Sequence, residues 1–139
     1  MKKLLCTFLT IVFVLVVMVP SLCFAIEEEP FEPPINIDDY ELTSSIIASL
    51  SISGGSATVA GRVGSKFSGA SCSVTVKLQK KSGNSWINVK TWTSSGTSSA
   101  SAGGTYSVSS GSYRTYVSAV ITFNGDSEHP YKYSGTKTC

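Results

Sequence analysis

Charge is sparse in this sequence. Lys, Arg, Asp and Glu together make up 14% of its 139 residues, and there is a single histidine, His129. Coiled coils and helical bundles draw on Ala, Leu, Glu and Lys, so a chain this poor in charge and this rich in Ser, Thr and Gly belongs to neither class. One histidine and four cysteines without paired spacing do not supply a zinc site. The doubled glycines Gly54-Gly55 and Gly103-Gly104 lack the lysine and the following helix of a phosphate-binding loop. A chain of this length forms one small domain, which excludes a two-domain enzyme. No cofactor is expected. Only one long apolar run exists, and it lies at the N-terminus.

That run reads as an export signal. Lys2 and Lys3 precede an almost wholly apolar stretch over residues 4–19, Pro20 breaks it, and Cys23-Phe24-Ala25 places small residues at the −3 and −1 positions of a cut after Ala25. The stretch falls short of the roughly 20 residues of a membrane helix, which disfavours the alternative of an uncleaved anchor. Cys23 follows Pro20-Ser21-Leu22, a poor context for lipid attachment. The expectation is a signal peptide over residues 1–25 and an exported remainder without a transmembrane segment, secreted or associated with the cell wall.

The remaining charge is unevenly placed. Residues 26–41 carry seven acidic side chains and no Lys or Arg, whereas residues 42–139 carry nine basic residues against Asp126 and Glu128, a balance of +7. Pro30, Pro33 and Pro34 fall within the acidic segment and oppose helix there, so residues 26–42 read as an acidic arm, disordered or loosely docked. A solvated spacer is one reading of the arm. The other is a mask over the basic domain, in which case its deletion would strengthen low-salt binding to anionic polymers.

From Thr43 the pattern has a period of two. Ile46, Ala48, Leu50 and Ile52 alternate with serines up to the turn Ser53-Gly54-Gly55-Ser56, and Ala57, Val59, Gly61 and Val63 follow on the return. Cys72, Val74, Val76 and Leu78 form the clearest strand, which Ser82-Gly83-Asn84 turns into residues 86–93. Residues 94–104 are nearly all Ser, Thr, Ala and Gly and read as a crossing loop or a weak edge strand. A short strand over residues 105–108 precedes the longest one, residues 113–123, with Val117, Ala119, Ile121 and Phe123 inward; Asn124-Gly125-Asp126 then turns the chain, and residues 131–138 close it. Seven short strands without any helical period predict an all-β, antiparallel, immunoglobulin-like β-sandwich over residues 43–139.

Residues 78–92, Leu-Gln-Lys-Lys-Ser-Gly-Asn-Ser-Trp followed by Val89-Lys90-Thr91-Trp92, and then Tyr106 to Arg114, carry a resemblance. This pattern is similar to that of short secreted β-sandwich proteins of Gram-positive bacteria, an uncharacterised exported family, and the likeness covers roughly residues 43–138. It implies an export signal before one small sandwich and transfers no catalytic residue. The tyrosine before the long strand is common among sandwich domains, where it stabilises a corner. Cys72 and Cys139 are not expected as a fixed feature of that pattern.

In an exported chain those two cysteines invite a bridge, and closing so long a loop would contribute about 4 kcal/mol. Strand parity argues against it. If every strand reverses direction, the start of the third and the end of the seventh lie at opposite ends of the sandwich, far beyond the ~7 Å that bridged Cα atoms allow. An interchain bridge through Cys139 and free thiols are the alternatives.

Catalytic constellations are sparse. Asp126, Ser127, Glu128 and His129 are neighbours on one loop, whereas relays and glycosidic acid pairs are assembled from separated elements. Asn124, Asp126 and Glu128 offer three oxygen ligands where calcium takes six to eight. The aromatics are the better lead. Trp86 and Trp92 are an even number of residues apart and so share a strand face, where they either stack on sugar rings or fill the core. Lys77, Lys90 and Arg114 line the polar face nearby and would attract an anionic wall polymer. Three classes follow: a non-enzymatic interaction module of the envelope, a carbohydrate-binding module using Trp86 and Trp92, and a toxin-like protein. Nucleic acid is not expected as a partner, because no basic stripe interleaved with aromatics is present.

Overall fold

The computed structural model describes residues 26–28 and 37–139. From Thr43 onward alternation of apolar and hydroxylated side chains leaves no helical face to bury, and among the described residues all regular structure apart from one 3-10 turn at Ile37–Asp39 is strand. The strands are β1 (Ile26–Glu28), β2 (Thr43–Ser53), β3 (Ser56–Ser65), β4 (Ser71–Ser82), β5 (Ser85–Thr97), β6 (Ser99–Ser107), β7 (Ser112–Phe123), β8 (Asp126–Glu128), β9 (Tyr131–Tyr133) and β10 (Thr136–Thr138). Every pairing is antiparallel.

Two sheets result. The smaller runs β2-β3-β6; the larger runs β1-β10-β7-β4-β5, with β8 and β9 also paired to β7. Tight turns fix the registers. Gly54 and Gly55 both have positive φ, as do Asn124 and Gly125, the backbone that two-residue hairpins with native twist require. β8, β9 and β10 lie in succession along one edge of β7, opposite residues 121–123, 116–118 and 112–113. The first break falls at Pro130, which has no N–H to give but whose carbonyl accepts the Ala119 N–H at 2.9 Å. At the second, the Ser134 hydroxyl accepts the Thr115 N–H at 2.8 Å. The long β7 edge is thus satisfied across both interruptions.

The core lies between the sheets. Ile46, Leu50, Ile52, Val59 and Val63 face Cys72, Val74, Val76, Leu78, Val117 and Ile121, and all are buried. The buried Tyr113 donates its hydroxyl to the Ser109 carbonyl at 2.9 Å, tying the start of β7 to the chain just before it.

Three findings bear on the expectations. The described residues hold ten strands rather than seven: the last run, residues 131–138, is broken into β9 and β10, residues 126–128 form β8 where a loop was expected, and Ile26–Glu28 adds an edge strand beside β10. Of the two readings of residues 94–104 the edge strand is the one found: they complete β5 and supply much of β6, each at the edge of its sheet, with Ser98 at positive φ making the corner between the sheets. Small side chains there reflect crowding, since a Cβ on Gly103 would collide with the Val59 carbonyl and one on Gly104 would lie 2.7 Å from the Trp92 indole nitrogen. The acidic arm is docked where it is described, at β1 and around residues 41–43; residues 29–36 lie outside the described residues, as does the expected signal peptide over residues 1–25.

Candidate functional site

A β-bulge decides which side chains reach the outer face of the larger sheet. Leu78 pairs with Lys90 but Gln79 pairs with Asn88, so Val89 is the extra residue and the parity of β5 reverses there. Trp92, opposite the buried Val76, is turned toward the core and packs near Gly104 of β6. Trp86, six residues earlier but across the bulge, is turned outward. The two indoles therefore do not share a face, contrary to the even-spacing argument, which holds only for an uninterrupted strand. Lys90, paired with the buried Leu78, is likewise separated from Lys77 and Arg114.

The outward rows can be read across β5, β4, β7 and β9. Trp86 stands opposite Lys81; the next row is Asn88, Gln79 and Arg114; then come Thr91, Lys77, Tyr116 and Tyr133; then Thr93, Thr75, Ser118 and Tyr131. Arg114 carries the contact between the aromatic groups. Its guanidinium carbon lies 4.3 Å from the Trp86 ring centre and 4.2 Å from that of Tyr133. Tyr133 lies 4.8 Å from Tyr116, and Tyr131 contacts both at 6.2 and 6.4 Å. Spacing along β4 from Lys81 to Thr75 makes this strip about 20 Å long at the rise of an extended strand. It ends at a shallow cavity of about 200 Å³ lined by Thr75, Tyr116, Ser118, His129 and Tyr131.

Tyr131 is 48% exposed, and the other rings of the strip are partly exposed. Of the residues expected from the sequence, Trp86, Lys77 and Arg114 are brought together here, while Trp92 and Lys90 are not. Tyr116 was missed as a member of the strip. It alternates with the inward Thr115 and Val117, a parity that marks it as outward once β7 is recognised.

The Asp126–His129 cluster is largely structural. Glu128 Oε1 accepts the N–H groups of Glu41 and Leu42 at 2.6 and 2.8 Å, and Oε2 accepts the Thr43 N–H and hydroxyl, both at 2.9 Å. Partial burial alone would push this carboxyl up, but the donors of Leu42, Thr43 and Glu41 outweigh it and hold the group below the ordinary glutamate range. A carboxylate so engaged is not available as a general acid or a calcium ligand. Among the described residues no group of three or more His, Cys, Asp or Glu side chains could hold a metal.

Cys72 and Cys139 are not bridged to each other. Cys72 is a free, buried thiol facing the core from β4, and burial pushes its pKa up, whereas Cys139 is disulfide-bonded. The other two cysteines, Cys6 and Cys23, lie outside the described residues. In the exported protein Cys72 should resist alkylation in the native state and react fully in denaturant without reductant, and a thiol open to reagent in the folded protein would contradict its position.

No protein-family model matches the chain, and no curated protein matches it either. Among the described residues no helix is long and apolar enough to cross a membrane.

Proposed function

We propose that this protein is an exported, non-enzymatic interaction module of the cell surface, built on an immunoglobulin-like sandwich, and that the outer face of its larger sheet binds an extended glycan chain. The pairing order β2-β3-β6 against β5-β4-β7 with the β8–β10 line agrees with the Greek-key connection of that fold class. The Tyr113 hydroxyl bond to Ser109 is of the corner type common in it. Export rests on the charged start, apolar run and small-residue cut site of residues 1–25. The secreted and wall-associated reading rests on the same residues.

A single observation carries the binding face: Trp86, Tyr133, Tyr116 and Tyr131 form one continuous outward strip joined by Arg114. Aromatic rings normally go where they bury most area, and an outward row of them on a hydroxyl-rich sheet suits the apolar faces of sugar rings. Thr75, Thr91, Thr93 and Ser118 add hydroxyls beside the strip.

Affinity electrophoresis of the folded protein through gels containing soluble xylan, β-glucan or polygalacturonate tests the reading. At least one polymer should retard the wild-type protein. Trp86→Ala and Tyr131→Ala should each abolish most of the retardation, by about tenfold or more in affinity, while Trp92→Phe should leave it unchanged. Equal mobility of all variants in every gel would remove the strip as a binding face.

A further inference from the structure

We infer that the strip is selective for acidic glycans, with Arg114 as a fixed fork for a carboxylate or phosphodiester oxygen pair. This rests on the outer face being the binding face, and it adds the charge of what is bound there.

The first observation is the absence of counter-charge. The rows of the strip contain Lys77, Lys81 and Arg114 and no Asp or Glu on β4, β5, β7 or β9. Cations on protein surfaces are ordinarily interspersed with carboxylates, and three on one face of these four strands with none, the acidic residues of the sheet lying beyond them on β1 and β8, create a local field that gathers anions.

The second is how Arg114 is held. Its Nε donates to Gln79 Oε1 at 2.9 Å, and Gln79 is itself fixed by donating from Nε2 to Asn88 Oδ1 at 2.9 Å. Trp86 and Tyr133 lie against the guanidinium at 4.3 and 4.2 Å. The inner edge and the flat faces are thereby occupied. What remains is the edge bearing the two terminal nitrogens, which have no hydrogen-bond partner among the described residues. A guanidinium immobilised in this way has already lost the side-chain freedom that binding would otherwise cost, and its planar fork matches two oxygens of one anionic group. Lys77 sits two residues from Gln79 along β4, one row from the fork, and Tyr116 beside it offers a ring for the sugar that carries the acid.

The asymmetry of Arg and Lys supplies the test. The folded exported protein is titrated calorimetrically with three probes of similar length: an oligogalacturonate, a poly(glycerol phosphate) and the neutral cellohexaose. The wild type should bind one or both acidic probes at least tenfold more tightly than the neutral one, with affinity falling as salt rises. Arg114→Lys keeps the charge and removes the fork, and should weaken the acidic probe about tenfold while leaving any binding of cellohexaose unchanged. Gln79→Met leaves Arg114 in place but frees it, and should weaken the acidic probe in the same direction by a smaller factor. Thermal midpoints near wild type establish that both variants fold.

Preference for either acidic probe with this variant pattern supports the inference, and the tighter of the two identifies carboxylate or phosphodiester. Cellohexaose bound as tightly as the acidic probes, or acidic binding indifferent to Arg114→Lys, overturns it while the binding face stands. If none of the three probes binds and the polysaccharide gels also show no retardation, the inference and the binding face fail together.

Discussion

Gly61→Ala is expected to destabilise the protein by about 2 kcal/mol, and Gly61→Val by about 3 kcal/mol or more. Propensity alone predicts the opposite sign for the alanine, because glycine inside a strand forfeits both entropy and packing. The reason lies between the sheets. In the smaller sheet Ala48, Gly61 and Ala102 form a row of minimal side chains, opposite Val76 and Val117 of the larger one. A Cβ on Gly61 would lie 2.5 Å from Val76 Cγ2 and 2.6 Å from Val117 Cγ2. These methyls are fully buried and have nowhere to go, so the sheets must separate or the valines must leave their rotamers. Denaturant midpoints measure the cost. A second substitution, Val117→Ala, should be less harmful in the Gly61→Ala background than alone, a coupling expected only of residues in contact. A neutral or stabilising Gly61→Ala would mean that the sheets do not approach at this row.

Glu128→Ala should lower stability by roughly 2 kcal/mol at neutral pH, discounted from the full value of charged hydrogen bonds because the site is only half-buried. The carboxylate gathers three consecutive N–H groups and the Thr43 hydroxyl, and so fastens the entry of β2 to β8 on the other sheet. Without it the buried Thr43 is left with an unsatisfied N–H and hydroxyl. Its pKa is lowered in the folded state, so the unfolded chain binds the proton more readily. The Glu128 contribution is therefore fully present above the ordinary glutamate value of about 4.3 and is lost as pH falls through the lower folded value. Unfolding curves between neutral pH and pH 3 should show the wild type converging on Glu128→Ala as acid is added. A constant gap between the two would show that the carboxylate is not held by these donors.

Strand positions and inward faces were legible because the period of two runs through most of β3, β4 and β7 and through β2 from Ile46 onward, past the irregularity at residues 43–45. The hidden features each depend on a partner far away in sequence. The bulge at Val89 turns Trp86 outward and Trp92 inward, and no local signal in residues 85–97 places it; its evidence is the mismatch of register against β4. The Ser, Ala and Gly run of residues 94–104 reads equally as a crossing loop or a weak edge strand, and what decides for strand is its fit beneath Trp92 and against β3, which composition alone does not reveal. Glu128 looked like an ordinary loop charge on a hydrated turn, yet its oxygens are filled by backbone from residues 41–43, more than eighty positions earlier. Lys77 and Arg114 were read onto one polar face together with Lys90, which the bulge takes away, and the sandwiching of Arg114 needed the fold to bring β5 and β9 to either side of β7 and β4.

The most direct test is a two-dimensional NMR titration of the isotopically labelled exported protein with oligogalacturonate and poly(glycerol phosphate). The account predicts shifts confined to the outward rows of the larger sheet, centred on the Trp86 indole, the Arg114 side chain and the amides around Tyr116, Tyr131 and Tyr133, with the Trp92 indole and β2-β3-β6 unmoved. Shifts centred on the smaller sheet, or a spectrum unchanged at saturating concentrations of both polymers, would contradict it.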